Sequence, residues 1–320
     1  MTILDAIIQG IVQGLTEFLP VSSSGHLAIT QHITGTSGEG NLFFNVMLHV
    51  GTLVAVIAFY HKLIWNLIKE FFSMLRDIFT GKFKWSQMNY ERNLIMMLII
   101  GLLPLFLMFI PIPATDLKVK DLADIFSGSQ ILIVTAISLM LTGALLTIGA
   151  YFNRKNSTVS FKHMKGRAAN SNGKESYTAV DALCVGLMQV AAALLPGLSR
   201  SGSTLAVGEM RGINKQKALD FTFILGVPSI VAAAMLEMMD AVKSPEGITV
   251  EPMVIIVGVV VSAVVGYLSI VLFKWFLKSD KMIVFIVYTA LVGTALLVIS
   301  IMEITTGSNV FTGAPAVLFG

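Results

Sequence analysis

Hydrophobic positions in this chain come in long unbroken runs, and the polar positions gather between them. Six runs, at roughly 43–62, 92–111, 129–152, 217–240, 251–276 and 281–302, are each about 20 residues or longer. An α-helix of that length crosses a hydrocarbon core of about 30 Å. Two further apolar segments, 3–34 and 179–212, are interrupted at their centres by a proline, glycines and clustered hydroxyls. Neither half of either segment is clearly long enough to span alone. Both read as re-entrant helix–loop–helix elements, whose irregular backbone is tolerated at membrane depth only where protein or a wet cavity surrounds it. The pattern predicts an all-α polytopic membrane protein with six transmembrane helices plus two re-entrant segments.

The charges orient this layout. With the N-terminus outside and each re-entrant segment returning to its own side, the inside stretches are 62–92, 153–178, 211–217 and 274–281. They hold 18 of the 22 Lys and Arg, the outside stretches hold 3, and the last is Arg200. Basic residues concentrate on the cytoplasmic side of membrane proteins, and moving one span would spoil the asymmetry. Composition agrees: 55% of the 320 residues are hydrophobic and 13% charged, against about 25% charged in a soluble domain. No basic region precedes Leu4–Gly14 and no small-residue cleavage site follows it, so the first run is not expected to be a signal peptide. The single cysteine, Cys184, excludes an intrachain disulfide framework and a cysteine metal cluster. No basic, aromatic-interleaved surface points to nucleic acid as a partner.

Each half contains one interrupted segment followed by three spans. Three is odd, so the halves, 1–152 and 179–320, are expected to cross the membrane in opposite senses, joined by a flexible cytoplasmic linker over 153–178. Gly10, Gln13 and Pro20 align with Gly186, Gln189 and Pro196 at an offset of 176. One residue more aligns Ser22, Ser24 and Gly25 with Ser199, Ser201 and Gly202. In an inverted-topology repeat the broken helices meet near the midplane and build the site there.

The polar residues of those loops need a reason to lie in a membrane. Gln13 and Glu17, four apart, share one helix face. Ser22, Ser23, Ser24 and Gly25 are turn chemistry, able to cap a helix starting near His26, and exposed N–H groups at such a start attract phosphate. Each serine taken singly is equally a simple cap; Glu17 and His26 beside them argue for function, because intramembrane ionisable groups are costly. The second loop runs P-G-L-S-R-S-G-S-T from Pro196 to Thr204. Arg200, with Gly197, Ser199, Ser201, Ser203 and Thr204, describes a phosphate clamp, and a structural Arg200–Glu17 ion pair is the plainer alternative. His49 lines the same cavity or packs in the core. His61 and His163 are expected in solvent and His32 near the outer surface. Asp181, Glu209 and Asp220 are expected as helix caps.

The combination Q-x-x-x-E with P-V-S-S-S-G-H, and P-G-L-S-R-S-G-S-T in the second half, resembles the undecaprenyl-diphosphatase family, the bacitracin-resistance phosphatases, over essentially the whole chain. The resemblance implies hydrolysis of undecaprenyl diphosphate to the monophosphate at the outer face of the bacterial plasma membrane, with dependence on a divalent cation, Mg²⁺ or Ca²⁺. It implies that Glu17, His26 and Arg200 are essential and that Ser23 is the nucleophile. Ser22, Ser24, Gly25, Gly197, Ser199, Ser201 and Thr204 would then bind the diphosphate, and Glu17 with Gln13 the metal. Gln13 stands where many members have Glu, which leaves one carboxylate fewer for that metal. The expected partners are a polyprenyl diphosphate and the bilayer, and a homodimer is compatible with the sequence. Because midplane broken helices are also a transporter architecture, a polyprenyl-phosphate flippase or small-anion transporter stays open as an alternative.

Overall fold

The computed structural model describes residues 1–35, 39–85, 88–127, 132–163, 173–243 and 250–315. Among these the chain is helical almost throughout, in the order α1 (Ile3–Phe18), α2 (Ser23–Thr34), α3 (Glu39–Phe59), α4 (His61–Phe79), α5 (Tyr90–Leu102), a 3-10 segment (Leu103–Phe109), α6 (Val119–Ser127), α7 (Ile133–His163), α8 (Ala179–Leu194), α9 (Arg200–Met210), α10 (Lys215–Lys243), α11 (Pro252–Lys278) and α12 (Ile283–Thr306). Among the described residues, five stretches are long and apolar enough to cross a membrane: Tyr90–Phe109, Ile133–Lys155, Lys215–Leu236, Pro252–Lys278 and Ile283–Thr306. The expected span at 43–62 is the exception. Phe43–Phe59 passes only together with α4, from which it is bent by 85°.

Both interrupted segments are broken where the sequence places the breaks. α1 has 16 residues and α2 has 12; α8 has 16 and α9 has 11. At 1.5 Å per residue the longest of them reaches about 24 Å, short of the core thickness. The two segments also start and stop alike. Thr2 and Asp5 form a capping box on α1, as Thr178 and Asp181 do on α8. Ser22 caps α2 and Ser199 caps α9, each accepting the N–H of the glycine three residues on.

Small residues let the segments sink into the bundle. Lipid tails are as apolar as leucine, so helices in a membrane associate through close packing and interhelical hydrogen bonds. α11 presents Gly258, Ser262, Gly266 and Ser269 on its buried face. α1 lies against it so tightly that a Cβ on Gly14 would stand 2.8 Å from the Gly266 nitrogen and 2.9 Å from the Ser262 carbonyl oxygen. Ser269 Oγ donates to the Leu15 carbonyl at 2.8 Å, and Ser262 Oγ to the Leu48 carbonyl of α3 at 3.0 Å. An aromatic chain then joins the halves: Phe18 meets Phe223 edge-on at 5.3 Å, Phe223 meets Phe273 at 6.0 Å, and Phe273 meets Phe285 at 5.5 Å.

Several expectations change. α7 runs on to His163, so residues 153–163 continue a helix where a flexible linker was expected. Residues 173–178 pack on the second half, with Tyr177 stacked on Phe221 at 4.0 Å; 164–172 lie outside the described residues. Asp181 caps α8 as expected and also pairs with Arg211 at 2.7 Å and Lys174 at 3.2 Å. Glu209 is no cap: it is buried and accepts from the Asn153 amide at 3.0 Å. Nor is Asp220, which takes the Tyr60 hydroxyl at 2.7 Å and the Lys274 ammonium at 3.1 Å. In each case a tertiary partner outcompetes the local backbone. His61 is exposed as expected, the His163 side chain is outside the described residues, and His32 is paired with buried Glu303 at 2.7 Å.

Gly14→Ala tests the α1–α11 contact. The added methyl meets backbone atoms, which cannot step aside, and overpacking of this kind costs about 1–3 kcal/mol. A melting temperature in detergent several degrees below the parent's is the expected result; an unchanged one would mean that the two helices are free to separate.

Candidate active site

The first break is built from helix geometry and one strained residue. Gln13 and Glu17, a turn apart on the buried face of α1, are both enclosed by protein. Pro20 ends that helix, and the chain turns through Ser22 at φ +73°, a conformation uncommon for a residue with a Cβ. Ser22 then starts α2, with its Oγ accepting the Gly25 N–H at 3.2 Å. His26 braces the turn from below, its Nδ1 being 2.7 Å from the Ser22 carbonyl. A carbonyl only accepts, so Nδ1 carries the proton, and Nε2 accepts from the Tyr288 hydroxyl at 2.7 Å. The two rings stack at 5.6 Å.

The second break repeats the arrangement around a glycine. Gly197 has φ +91°, and a Cβ there would lie 2.6 Å from the Thr135 carbonyl oxygen, so both conformation and space require glycine. Ser199 Oγ accepts the Gly202 N–H at 3.1 Å, and the Ser199 N–H donates to Thr142 at 3.0 Å. The Ser199 and Ser201 hydroxyls are 3.2 Å apart; those of Ser22 and Ser24 are 3.3 Å apart. The loops interlock. Ser201 Oγ donates to the Leu19 carbonyl at 3.1 Å. A Cβ on Gly25 would come within 3.1 Å of Gly197 Cα, and one on Gly202 within 3.1 Å of Pro20 Cβ.

The loops meet at Glu17. Its carboxylate pairs with the Arg200 guanidinium. It also accepts from Ser23 Oγ at 2.6 Å and Gln13 Nε2 at 2.9 Å, and His49 Nε2 stands 3.6 Å away. Glu17 is the only hydrogen-bond acceptor of the Arg200 side chain among the described residues. A guanidinium has five N–H donors, and 24% of this side chain is exposed, so most of the fork is unclaimed. Gly226 of α10 makes the room, since a Cβ there would collide with Nη1. α2 and α9 both begin here, and the first N–H groups of a helix have no partner within it. Those of Ser23, Ser24, Arg200 and Ser201 find none elsewhere among the described residues. Two helix N-termini, each carrying partial positive charge, thus open beside a guanidinium.

Glu17, Gln13, Ser23 and Arg200 are therefore brought together, with Ser22, Gly25, Gly197, Ser199 and Ser201 forming the frame around them. His26 is not: among the described residues it makes no hydrogen bond to Ser23, Glu17 or Arg200. Ser24 is exposed at the edge. Thr204 turns inward, donating to the Arg200 carbonyl at 2.7 Å, with Thr222 at 3.2 Å, so it props the helix start. His49 faces Glu17 with its side chain partly exposed. Its rarity as an ionisable residue in a span was the signal available. Tyr288, Thr142 and Gly226 are ordinary residues in apolar helices, and nothing in their local sequence marks them.

A family profile described as Bacitracin resistance protein BacA matches residues 6–295. The chain belongs to this family. It is 37% identical over 302 residues to an undecaprenyl-diphosphatase of Alkaliphilus metalliredigens, covering 94% of this chain and 100% of that one. It is 35% identical over 303 residues to one of Bacteroides thetaiotaomicron (93% and 99% covered), and 31% identical over 306 residues to one of Methanosphaera stadtmanae (94% and 99% covered).

Arg200→Met would leave Glu17 buried without its cation. Breaking a buried pair from one side costs about 3–5 kcal/mol, and Glu17→Gln in the same chain should recover most of it. Thermal unfolding of the two variants in detergent checks this; equal stability of Arg200→Met and the parent would mean that the pair holds nothing in place.

Proposed function

We propose that the protein is an integral membrane phosphatase that hydrolyses undecaprenyl diphosphate to undecaprenyl phosphate and phosphate. It would thereby recycle the carrier lipid for cell-wall synthesis and confer resistance to bacitracin. The observation that carries this reading is a serine hydroxyl bonded to a carboxylate, next to a largely unclaimed guanidinium, where two helix N-termini meet inside an apolar bundle. The relatives, undecaprenyl-diphosphatases by name, agree with it. The protein acts in the plasma membrane, with the site reached from the outer face, and the halves 1–152 and 179–320 are inverted repeats joined through 153–178. The polyprenyl tail lies among the spans.

Cleaving a phosphoanhydride requires in-line attack and compensation of charge on the non-bridging oxygens. Arg200 offers the diphosphate its free N–H groups, and the N–H groups of Ser23, Ser24, Arg200 and Ser201 add uncharged donors at fixed positions. As the guanidinium turns to the substrate, Glu17 loses its cation. A buried carboxylate without a counter-charge is driven towards protonation, and the nearest proton is that of Ser23, 2.6 Å away. Clamping the diphosphate therefore activates the serine. Ser23 Oγ attacks the terminal phosphorus, the bond to the bridging oxygen breaks, and the lipid monophosphate leaves with the electron pair. Water then cleaves the phosphoserine, and Glu17 returns the proton. A water held between Ser23 and Glu17 could attack directly by the same charge logic. Glu17 thus serves as the base, and His26 positions the strained Ser22 turn.

A divalent cation suits the donor set in part. Gln13 Oε1 is buried without a hydrogen-bond partner among the described residues, and an amide oxygen beside a carboxylate is the kind of ligand a hard cation takes. No group of three or more His, Cys, Asp or Glu gathers among the described residues. Gln13 and Glu17 would accordingly hold such an ion together with substrate oxygens and water, as is common for Mg²⁺. Bound there, it would supply positive charge to the non-bridging oxygens.

Phosphate release from a C55 diphosphate in detergent tests the proposal. Arg200→Lys loses the planar fork, and Ser23→Ala loses the nucleophile; each should reduce turnover about a hundredfold or more. No release by the folded parent protein would favour a transporter. A radiolabelled phosphoenzyme trapped by acid in the parent but not in Ser23→Ala would establish the serine route; near-normal turnover of Ser23→Ala would establish water. Gln13→Glu adds a carboxylate and should lower the Mg²⁺ concentration for half-maximal activity; an unchanged or higher concentration would remove Gln13 from the cation site.

A further inference from the structure

Where α3 ends, the chain turns by 85° into α4, a helix that the site does not use. Two sets of side chains recur along α4 at seven-residue intervals: Lys62, Lys69 and Arg76, and Trp65, Phe72 and Phe79. Seven residues fall about 20° short of two full turns, so each set forms a stripe running along the helix. Their three-residue offset places the stripes about 60° apart. A third face meets the protein. It buries Leu67 and Met74 and carries both acidic residues of α4. Glu70 and Asp77 each reach Arg92 in the first turn of α5, at 2.9 and 2.7 Å.

Those two bonds fix the attitude of the helix. One guanidinium at the start of a membrane span touches carboxylates seven residues apart on α4. The middle and end of α4 therefore lie at the level where α5 enters the membrane, and the 85° turn from α3 keeps α4 from running on in the direction of that span. Five Lys, Arg, Asp and Glu within 19 residues agree. The aromatic stripe is left uncovered: Trp65 is 57% exposed, Phe72 64% and Phe79 86%. The following segment continues both chemistries, with Lys82 and Lys84 flanking Phe83 and with Trp85 exposed. Because Glu70 and Asp77 are taken up by Arg92, the outward charge of 61–85 is entirely basic. Arg76 is 74% exposed even though Asp77 lies 3.7 Å from it.

We propose that α4 and the segment up to Trp85 form a docking surface for anionic phospholipid, lying in the plane of the membrane surface on the side where the Lys and Arg gather. The aromatic stripe sinks into the boundary between headgroups and acyl chains, where tryptophan and phenylalanine of in-plane amphipathic helices settle. Lys62, Lys69 and Arg76, with Lys82 and Lys84, then meet lipid phosphates, and long basic side chains reach that level from a half-sunken helix. The surface is independent of the diphosphatase reading and holds whatever the central site does.

The full chain carries three tryptophans, Trp65, Trp85 and Trp275, so Trp85→Phe/Trp275→Phe leaves Trp65 as a single reporter. Reconstituted in vesicles of phosphatidylcholine and phosphatidylglycerol, Trp65 should be quenched more by lipids brominated near the carboxyl end of the chain than by lipids brominated near the methyl end. At equal mole fraction, brominated phosphatidylglycerol should quench about twofold more than brominated phosphatidylcholine. Adding Lys62→Gln/Lys69→Gln/Arg76→Gln should equalise the two. Absence of quenching would put α4 in water or against another protein, and stronger quenching by deep bromines would make it part of a span; either overturns the proposal. Equal quenching by both lipids in the parent would overturn the assignment to anionic headgroups.

Discussion

A carboxylate and a guanidinium lie together in the middle of an apolar molecule, brought there by residues 183 apart in sequence. Neither can be left there alone. The desolvation of an ion in such surroundings is worth several kcal/mol, and it is offset only by close pairing with further hydrogen bonds. Gln13 and Ser23 supply those bonds to Glu17, and Gly226 provides the space in which Arg200 can reach it. The glycine-lined approach of α1 to α11, the interlocked prolines and glycines of the two breaks and the capped starts of α2 and α9 all serve this one geometry. The pair also explains why both helices must stop at depth. A continuous helix at either place would bury its backbone N–H groups in its own hydrogen bonds and leave nothing to face an anion.

The same pair gives the site its logic as an enzyme. A cation already bound to a carboxylate does not have to be desolvated when a diphosphate arrives, because that cost was met on folding. The exchange of one anionic partner for another is nearly neutral in charge, and what changes is the position of the uncompensated negative charge. In the proposed reaction it moves from substrate to Glu17, beside the Ser23 hydroxyl. Binding and activation are thus two descriptions of one displacement, which fits the principle that an enzyme should reserve its electrostatics for the reacting state.

How much of this could be read from the sequence follows from what each signal reports. Long apolar runs and the placement of Lys and Arg report solvent, and they gave five of the six spans directly. Breaks rich in Pro, Gly and Ser report local backbone, and they located both loops, although α2 starts at Ser23 and not near His26, and Ser199 caps α9 where the sequence marked it only as part of the clamp. Glu17 and Arg200 stood out because charge is rare in such segments. What escaped depended on distant partners. His26 carries no local mark that Tyr288, 262 residues away, will take its Nε2. Asp220 and Glu209 sit where caps belong, yet Tyr60, Lys274 and Asn153 claim them instead.

The turn into α4 escaped for a different reason. Apolar content is the same signal whether a face looks at protein, at acyl chains or at the boundary between chains and headgroups. Only the angular position of the charges separates the cases, and that requires knowing which charges are already paired. Counted by sequence, the 62–92 stretch contains Glu70 and Asp77 among its basic residues and reads as an ordinary charged loop. Once Arg92 is seen to hold both carboxylates, the remaining surface is basic on one stripe and aromatic on the next. A loop in water would have no use for Phe72 and Phe79 in the open. The bundle is therefore positioned in the membrane by two different devices: spans that match the thickness of the hydrocarbon, and a lateral helix matched to its surface. The second is joined to the first through Arg92 at the start of α5, which holds Glu70 and Asp77 of α4.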